Sequence, residues 1–260
     1  MTLNTIELTI NSVDWQEQLN GFSLLTVECE AADSPLLAEN LSGMQATFSF
    51  LPQLPLELFS QQVLNNRVRL QFLTQDSKPE ELDSDSAEPA CLVIRTRSIP
   101  FPEAEQNVLL LGEDLFMAPL FPIAKQRQNA TGATLALLHA QQGFPFAVKP
   151  ARFMVESTPP EAIGASALLE DWKVANRLSS ESFIAGCAQM TLSEMLHYWL
   201  EQMRGNLNKD EESWLLYLSA GDATVHECQR LINDLKEKRT LKLTLINLKN
   251  SNEPSDALGR

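Results

Sequence analysis

The sequence predicts an α+β protein, with a β-rich N-terminal part that is antiparallel and barrel- or sandwich-like, followed by a smaller helix-strand-helix-strand part. Two observations predict this order. Segments that alternate apolar and polar residues, as half-buried strands do, fill the first half of the chain. Segments with helical periodicity follow the linker-like stretch ESTPPEAIGAS at 156–166. We therefore predict a β-rich domain over residues 1–158, an α/β domain over 159–249 and a disordered tail over 250–260.

The N-terminal strands are predicted from alternation and turn residues. Residues 6–10 alternate as IELTI, and FSLLTVECE follows a turn at Asn20-Gly21, which predicts a hairpin. Residues 44–50 and 67–72 alternate in the same way, so each predicts a further strand with one wet face.

The stretch CLVIRTRSIPFPEAEQNVLLLGEDLFMAPLFP, residues 91–122, predicts two strands at 92–97 and 107–111 joined by a proline-rich loop. An apolar block follows the second strand, and it is too apolar to face water uncovered. We predict partner binding for its five large side chains: Leu115, Phe116, Met117, Leu120 and Phe121.

Residues 76–90, DSKPEELDSDSAEPA, predict a mobile acidic loop, because they contain too little apolar surface to offset the entropy of ordering. An alternative function for Asp83 and Asp85 is to supply oxygen ligands to a divalent cation. No glycine or fixed ligand spacing accompanies these acids.

The C-terminal elements are predicted in order. TGATLALLHAQQG at 131–143 indicates a short helix stopped by Gly143, and FAVKP indicates a strand. MTLSEMLHYWLEQMRG predicts a helix opened by a Thr191–Glu194 capping box, with Trp199 on its apolar stripe. Residues 214–218, 222–239 and 241–245 then predict a strand-helix-strand unit.

Composition narrows the function classes. The chain of 260 residues carries a formal net charge of -14, which repels phosphate, so nucleic acid is not a predicted partner. Its four cysteines have no paired spacing, which favours a reducing compartment, and we predict a cytoplasmic location. No apolar run approaches the roughly 20 residues of a membrane-spanning helix, so membrane insertion is not predicted.

A search for catalytic and metal motifs finds none that is complete. His226 and Cys228 lie two apart on a helix and face different sides, and Arg230 stands where a metallopeptidase helix needs a second histidine. GASAL at 164–168 has Leu168 in place of the second glycine of a nucleophile elbow. There is no phosphate-binding Gly-Lys-Ser/Thr loop and no GxGxxG after a strand. We predict no catalytic, cofactor-binding or metal-ligating residues.

Two single residues have a functional alternative. His197 neighbours Trp199 but lies on the polar side of its helix, which favours a solvated histidine over a catalytic one. Cys187 precedes the same helix and could gain thiolate character there, but no partnering base is visible, which favours a small buried apolar side chain.

The element order resembles the hub part of VgrG-type spike proteins and of contractile phage tail hubs, over residues 20–218. The resemblance depends on Leu41, Gly43, Ala46 and Phe48 at a turn, on 108–111 with Leu115 and Phe116 as a Leu-rich strand, and on 134–143 as a helix. It implies a spike-less hub or baseplate-adaptor subunit that packs against copies of itself or other ring subunits, without catalysis. The acidic loop would be an insertion, and the β-helical spike is absent.

We therefore predict a non-enzymatic structural or adaptor subunit of a multiprotein assembly, with other protein subunits as partners and no cofactor. The alternative is a cytoplasmic α/β enzyme, hydrolase-like, whose dispersed active site leaves no linear motif. A narrow, deep cleft lined by His139, His197 or Cys187 would favour that alternative.

Overall fold

The computed structural model describes residues 4–30, 45–48, 51, 53–54, 56–64, 67–80, 91–96, 100–206, 213–237 and 242–248. Within them an antiparallel barrel is followed by an α/β part built on a parallel sheet, which confirms the predicted α+β order. None of the helices in these ranges is long and apolar enough to cross a membrane. The predicted tail and Asp83 and Asp85 of the acidic loop lie outside the described residues.

The barrel closes in the strand order β1-β2-β5-β4-β3-β6, and every neighbouring pair is antiparallel. Alternate residues such as Val27 and Leu70 fill its interior, while Glu28 and Arg69 form an ion pair of 2.6 Å on the outside. The predicted hairpin at Asn20-Gly21 is confirmed. The strands are β1 Asn4–Glu17, β2 Ser23–Glu30, β3 Gln45–Phe48, β4 Leu56–Leu64, β5 Arg67–Thr74 and β6 Cys91–Thr96.

The second unit is a parallel sheet in the strand order β11-β8-β7-β12-β13, with a small β9-β10 pair beside it. Helices pack on both faces, so its inner strands are apolar runs buried on both sides. The strands are β7 Asn107–Glu113, β8 Thr134–Ala140, β9 Val148–Pro150, β10 Gly164–Ser166, β11 Ala175–Ser180, β12 Ser213–Ser219 and β13 Lys242–Asn247. The helices are α1 Leu120–Gln126, α2 Ala167–Asp171, α3 Leu192–Asn206 and α4 Asp222–Glu237.

The helix predicted at 131–143 is wrong, because this segment contains strand β8, which pairs with β7 and β11. A short apolar run such as TLALLHA has no period that separates a buried strand from a helix. Burial on both faces of a parallel sheet removes the alternation that would have indicated the strand.

Helix α3 is confirmed together with its capping box. The Thr191 amide donates to the Glu194 carboxylate at 2.8 Å, and the Glu194 amide donates to Thr191 Oγ1 at 3.2 Å. The indole of Trp199 is fully buried and meets Trp214 of β12 edge to face, with ring centroids 5.1 Å apart. The predicted strand-helix-strand unit is also confirmed as β12, α4 and β13.

The change from barrel to parallel sheet falls between β6 and β7, ahead of the predicted boundary near residue 160. Strands β7 and β8 pair with β12 and β11, so they belong to the sheet of the α/β part. The hydroxyl of Tyr217 in β12 donates to the Pro100 carbonyl, which fixes this connection to the sheet. The division into independently folding domains stays a prediction.

The apolar block after β7 is covered by the chain itself. Leu115, Met117, Leu120 and Phe121 are buried, and Phe116 is half-buried. Helix α1 packs between β7 and strand β4 of the barrel, so the block forms much of the contact between the two units. No finding tests a partner-binding role for these five side chains, which stays a prediction.

Candidate functional site

A cleft lies where strand β4 of the barrel faces helix α1, and it encloses about 440 Å³. Three aromatic rings line it: Phe59 from β4, Phe121 from α1 and Trp172 from the turn after α2. The ring centroid of Phe121 lies 4.8 Å from that of Phe59 and 6.3 Å from that of Trp172. These separations are typical of favourable aromatic pairs, so the rings form a defined apolar wall.

The rim of this cleft is polar and carries one cation. Lys125 of α1 places its Nζ 6.0 Å from the ring centroid of Trp172. The other polar lining residues come from β4, from the last residue of α1 and from the turn that follows it. They are Ser60, Gln61, Gln126, Gln128 and Asn129. An apolar wall with a few polar groups on one side is the usual composition of a small-molecule pocket, and the volume lies in the usual range of about 300–1,000 Å³.

A second cavity of about 340 Å³ shares Phe59 and Phe121 with the cleft and is mainly apolar. Lys149 is the one lysine that lines it in the described part of the chain, and Ser166 contributes from β10. The Oγ of Ser166 is buried and has no hydrogen-bond partner among the described residues. Both backbone groups of Ser166 are bonded to the Asn176 side chain, which fixes the position of this serine.

A third feature lies at the carboxyl ends of β7 and β12. The carboxylate of Glu113 accepts hydrogen bonds from the Gly221 amide and the Thr224 hydroxyl, both at 2.8 Å. Gly221 and Thr224 stand at the start of α4. The buried Glu113 side chain is therefore placed at the positive end of a helix, where an anion is stabilised.

The histidines do not form a catalytic cleft. His139 and Ser179 are cross-strand neighbours on β8 and β11, 3.1 Å apart between Nδ1 and Oγ, and both are buried. A substrate has no access to this pair. His197 is exposed as predicted and lines an open groove between α3 and α4, together with Glu194, Glu227 and Arg230.

Cys187 is half-buried and packs against the core cluster that includes Leu178 of β11. Burial raises the pKa of its thiol from 9.0 to about 11. The thiolate fraction near neutral pH is thereby reduced by about a hundredfold. We expect iodoacetamide to alkylate Cys187 about two orders of magnitude more slowly in the native chain than in the chain unfolded in urea. Peptide mapping of the alkylated cysteine gives the two rates, and equal rates would contradict the apolar role of this side chain.

No family model matches the chain, and no curated protein matches its sequence significantly. Solved structures do match it. The Amycolatopsis cytochrome P450 reductase GcoB superposes with a TM-score of 0.54 at 10% identity, covering 95% of this chain and 72% of that one. The ferredoxin-NADP+ reductase of Plasmodium falciparum with 2'P-AMP gives 0.52 at 7% identity, covering 94% and 96%.

This chain has the ferredoxin-NADP+ reductase fold. The flavohemoglobin of Malassezia yamatoensis, solved with bound FAD and heme, also matches, with a TM-score of 0.50 at 9% identity and coverage of 93% and 60%. At such low identity the similarity shows the reductase fold alone. In this fold the barrel comes first and the α/β part second, as in the strand topology described above.

The resemblance to VgrG-type spikes and phage tail hubs is wrong, since the solved structures described above that match the chain are two reductases and a flavohemoglobin. The resemblance depended in part on a helix at 134–143, and this segment contains strand β8 instead. The predicted non-enzymatic structural or adaptor role, with its hub, baseplate and injection-system associations, is overturned by the same comparison. The same comparison contradicts the prediction that the chain is not an enzyme.

Sequence reasoning missed the residues of the cleft. Phe59 and Ser60 lie on β4, a strand that was not predicted although Leu56 and Leu58 alternate with Glu57. Phe121 was singled out, but for a partner surface rather than for a cavity. Trp172 follows a five-residue helix, α2, which has too few turns to show a period.

Proposed function

We propose that this chain is a flavin-dependent oxidoreductase that binds the isoalloxazine ring in the cleft between the barrel and helix α1. The observation that supports this most is the wall formed by Phe59, Phe121 and Trp172 beside a polar rim. A flat aromatic ring system with hydrogen-bonding edges on one side matches such a cleft. An oxidoreductase agrees with the predicted enzyme alternative but not with its hydrolase-like chemistry.

The residues present fit a flavin ring. Phe59 and Trp172 are half-buried and offer apolar surface that excludes water from a bound ring. Gln126, Gln128 and Asn129 offer amide donors and acceptors for its polar edge. Lys125 supplies a positive charge that favours an anionic group or a negatively charged ring. A bound flavin supplies one- and two-electron chemistry, and the protein supplies binding, orientation and electrostatics.

The test is reconstitution of the purified chain with FMN and with FAD, followed by absorbance and equilibrium dialysis. Stoichiometric binding is expected, and Trp172→Ala should weaken it by about tenfold, since stacking on an aromatic side chain contributes roughly 1–3 kcal/mol. Trp15→Ala is the matched control, because Trp15 packs against the barrel core away from the cleft. No binding of either flavin to the folded wild-type chain would contradict the proposal, as would equal affinities of the two variants.

A cytoplasmic location remains part of this proposal. Among the described residues Cys29, Cys187 and Cys228 form no disulfide, and a reducing compartment keeps such thiols reduced. Protein partners are proposed as well, because oxidoreductases of this fold include a cytochrome P450 reductase and ferredoxin-NADP+ reductases. Nucleic acid and membrane insertion stay outside the proposal, in view of the net charge of -14 and of helices too short or too polar to span a bilayer among the described residues.

A further inference from the structure

The parallel sheet of this chain has a topological switch point between β7 and β12. From β7 the chain runs outward through β8 to β11 on one side, and then through β12 to β13 on the other. In open sheets of this kind, ligands bind in the crevice beyond the carboxyl ends of the two strands at such a point. A dinucleotide places its phosphates there, on backbone amides at a helix N-terminus.

That anion position is filled from within the chain. Glu113 is the last residue of β7. Its carboxylate accepts hydrogen bonds from the Gly221 amide and the Thr224 hydroxyl at the start of the 16-residue helix α4. The residue is only 9% exposed, so the carboxylate is enclosed rather than exposed at the rim. A phosphate could reach these donors only by displacing a negatively charged group that belongs to the fold.

The turn after β7 is closed to a phosphate as well. Close approach of a pyrophosphate to the backbone needs glycines in this turn, but residues 114–117 are Asp-Leu-Phe-Met in a 3-10 turn. Leu115 and Met117 are buried. Asp114 adds a second carboxylate, which accepts from the Gln141 amide at 2.9 Å, and burial raises its pKa.

We propose that Glu113 is a specificity-determining residue. Its carboxylate occupies the position that a nucleotide phosphate would take at the switch point, and so excludes NADH and NADPH from this chain. The carboxylate satisfies the donors of α4 that would otherwise recruit an anion, and it repels a second one. The exclusion holds whether or not a flavin binds. A nicotinamide nucleotide is then not the redox partner of the proposed flavin site, and that consequence alone rests on the proposed function.

The experiment measures nucleotide binding to the full chain without flavin, so it is independent of the outcome of the reconstitution. Calorimetry with NADPH, NADH and 2'P-AMP is combined with the NMR shift of the Gly221 amide. The wild-type chain is expected to show no saturable binding up to about 1 mM, the weak end of specific affinity. Glu113→Ala removes the charge and leaves the Gly221 amide and the Thr224 hydroxyl without their acceptor. This variant is expected to bind 2'P-AMP about tenfold more tightly than the wild type, or more.

Glu227→Gln is the matched control, because Glu227 also sits on α4 but bonds to Ser193 at 2.7 Å, away from the switch point. This variant should bind no nucleotide. Saturable binding of NADH or NADPH to the wild type with a shifted Gly221 amide would overturn the proposal. So would a folded Glu113→Ala that gains no affinity. If Glu113→Ala does not fold, Glu113→Gln decides, since it removes the charge and keeps one of the two accepting oxygens. A gain in affinity supports the proposal, and no gain overturns it.

Discussion

Replacing Trp199 by alanine is expected to lower the free energy of unfolding by about 3–5 kcal/mol. The indole is fully buried between α3 and the sheet, and its edge-to-face contact with Trp214 is lost together with its apolar area. Deletion of a large side chain from a core that cannot collapse leaves a cavity. Such a loss is a large part of the roughly 5–15 kcal/mol that stabilises a typical domain. Urea unfolding followed by circular dichroism measures the change.

His197→Ala is the control for this prediction, since His197 lies two residues away on the exposed side of the same helix. It should change the free energy of unfolding by no more than about 0.5 kcal/mol. Similar losses for the two variants would contradict the burial of Trp199 as the source of stability. An unchanged Trp199→Ala protein would place the apolar stripe of α3 outside the core.

Helix α3 is predictable from the sequence and strand β8 is not, for one physical reason. Helix α3 is amphipathic and has a local start signal at Thr191, so period and cap agree. Strand β8 is buried on both faces, and its run TLALLHA carries no period at all. The closed barrel was one of two architectures that the alternating strands allowed. Its strand order depends on pairings between distant residues, such as β1 with β6, which no local pattern contains.

The candidate site was missed for a related reason. The absence of GxGxxG and of a Gly-Lys-Ser/Thr loop favours a non-enzymatic protein when the sequence is considered alone. In the folded chain, the segment Gly112-Glu113-Asp114 stands where such a loop would be needed. The absence of these loops therefore argues against the binding of one ligand class, the dinucleotides. It does not argue against a ligand in the cleft at Phe59. Residues from β4, α1 and the turn after α2 meet there only in the tertiary structure.

Arg127 is the second residue whose replacement should be severe, with an expected loss of about 3–5 kcal/mol for Arg127→Ala. Its guanidinium is buried, and burial lowers its pKa. It donates to the carbonyls of Glu103, Gln106 and Gly132 and to the hydroxyl of Thr134. These contacts join the connection from the barrel to the start of β8. Alanine leaves three carbonyls without this donor and opens a cavity between the two segments.

Arg127→Lys separates the charge from the geometry of this network. An ammonium keeps the positive charge, but its single nitrogen cannot reach four acceptors spread over two segments of the chain, so most of the loss should persist. Arg230→Ala on the exposed side of α4 is the matched control and should stay within about 0.5 kcal/mol of the wild type. Full stability of Arg127→Lys in urea unfolding would show that charge alone is sufficient. In that case the planar fork of Arg127 would not be what holds the connection between the barrel and the sheet.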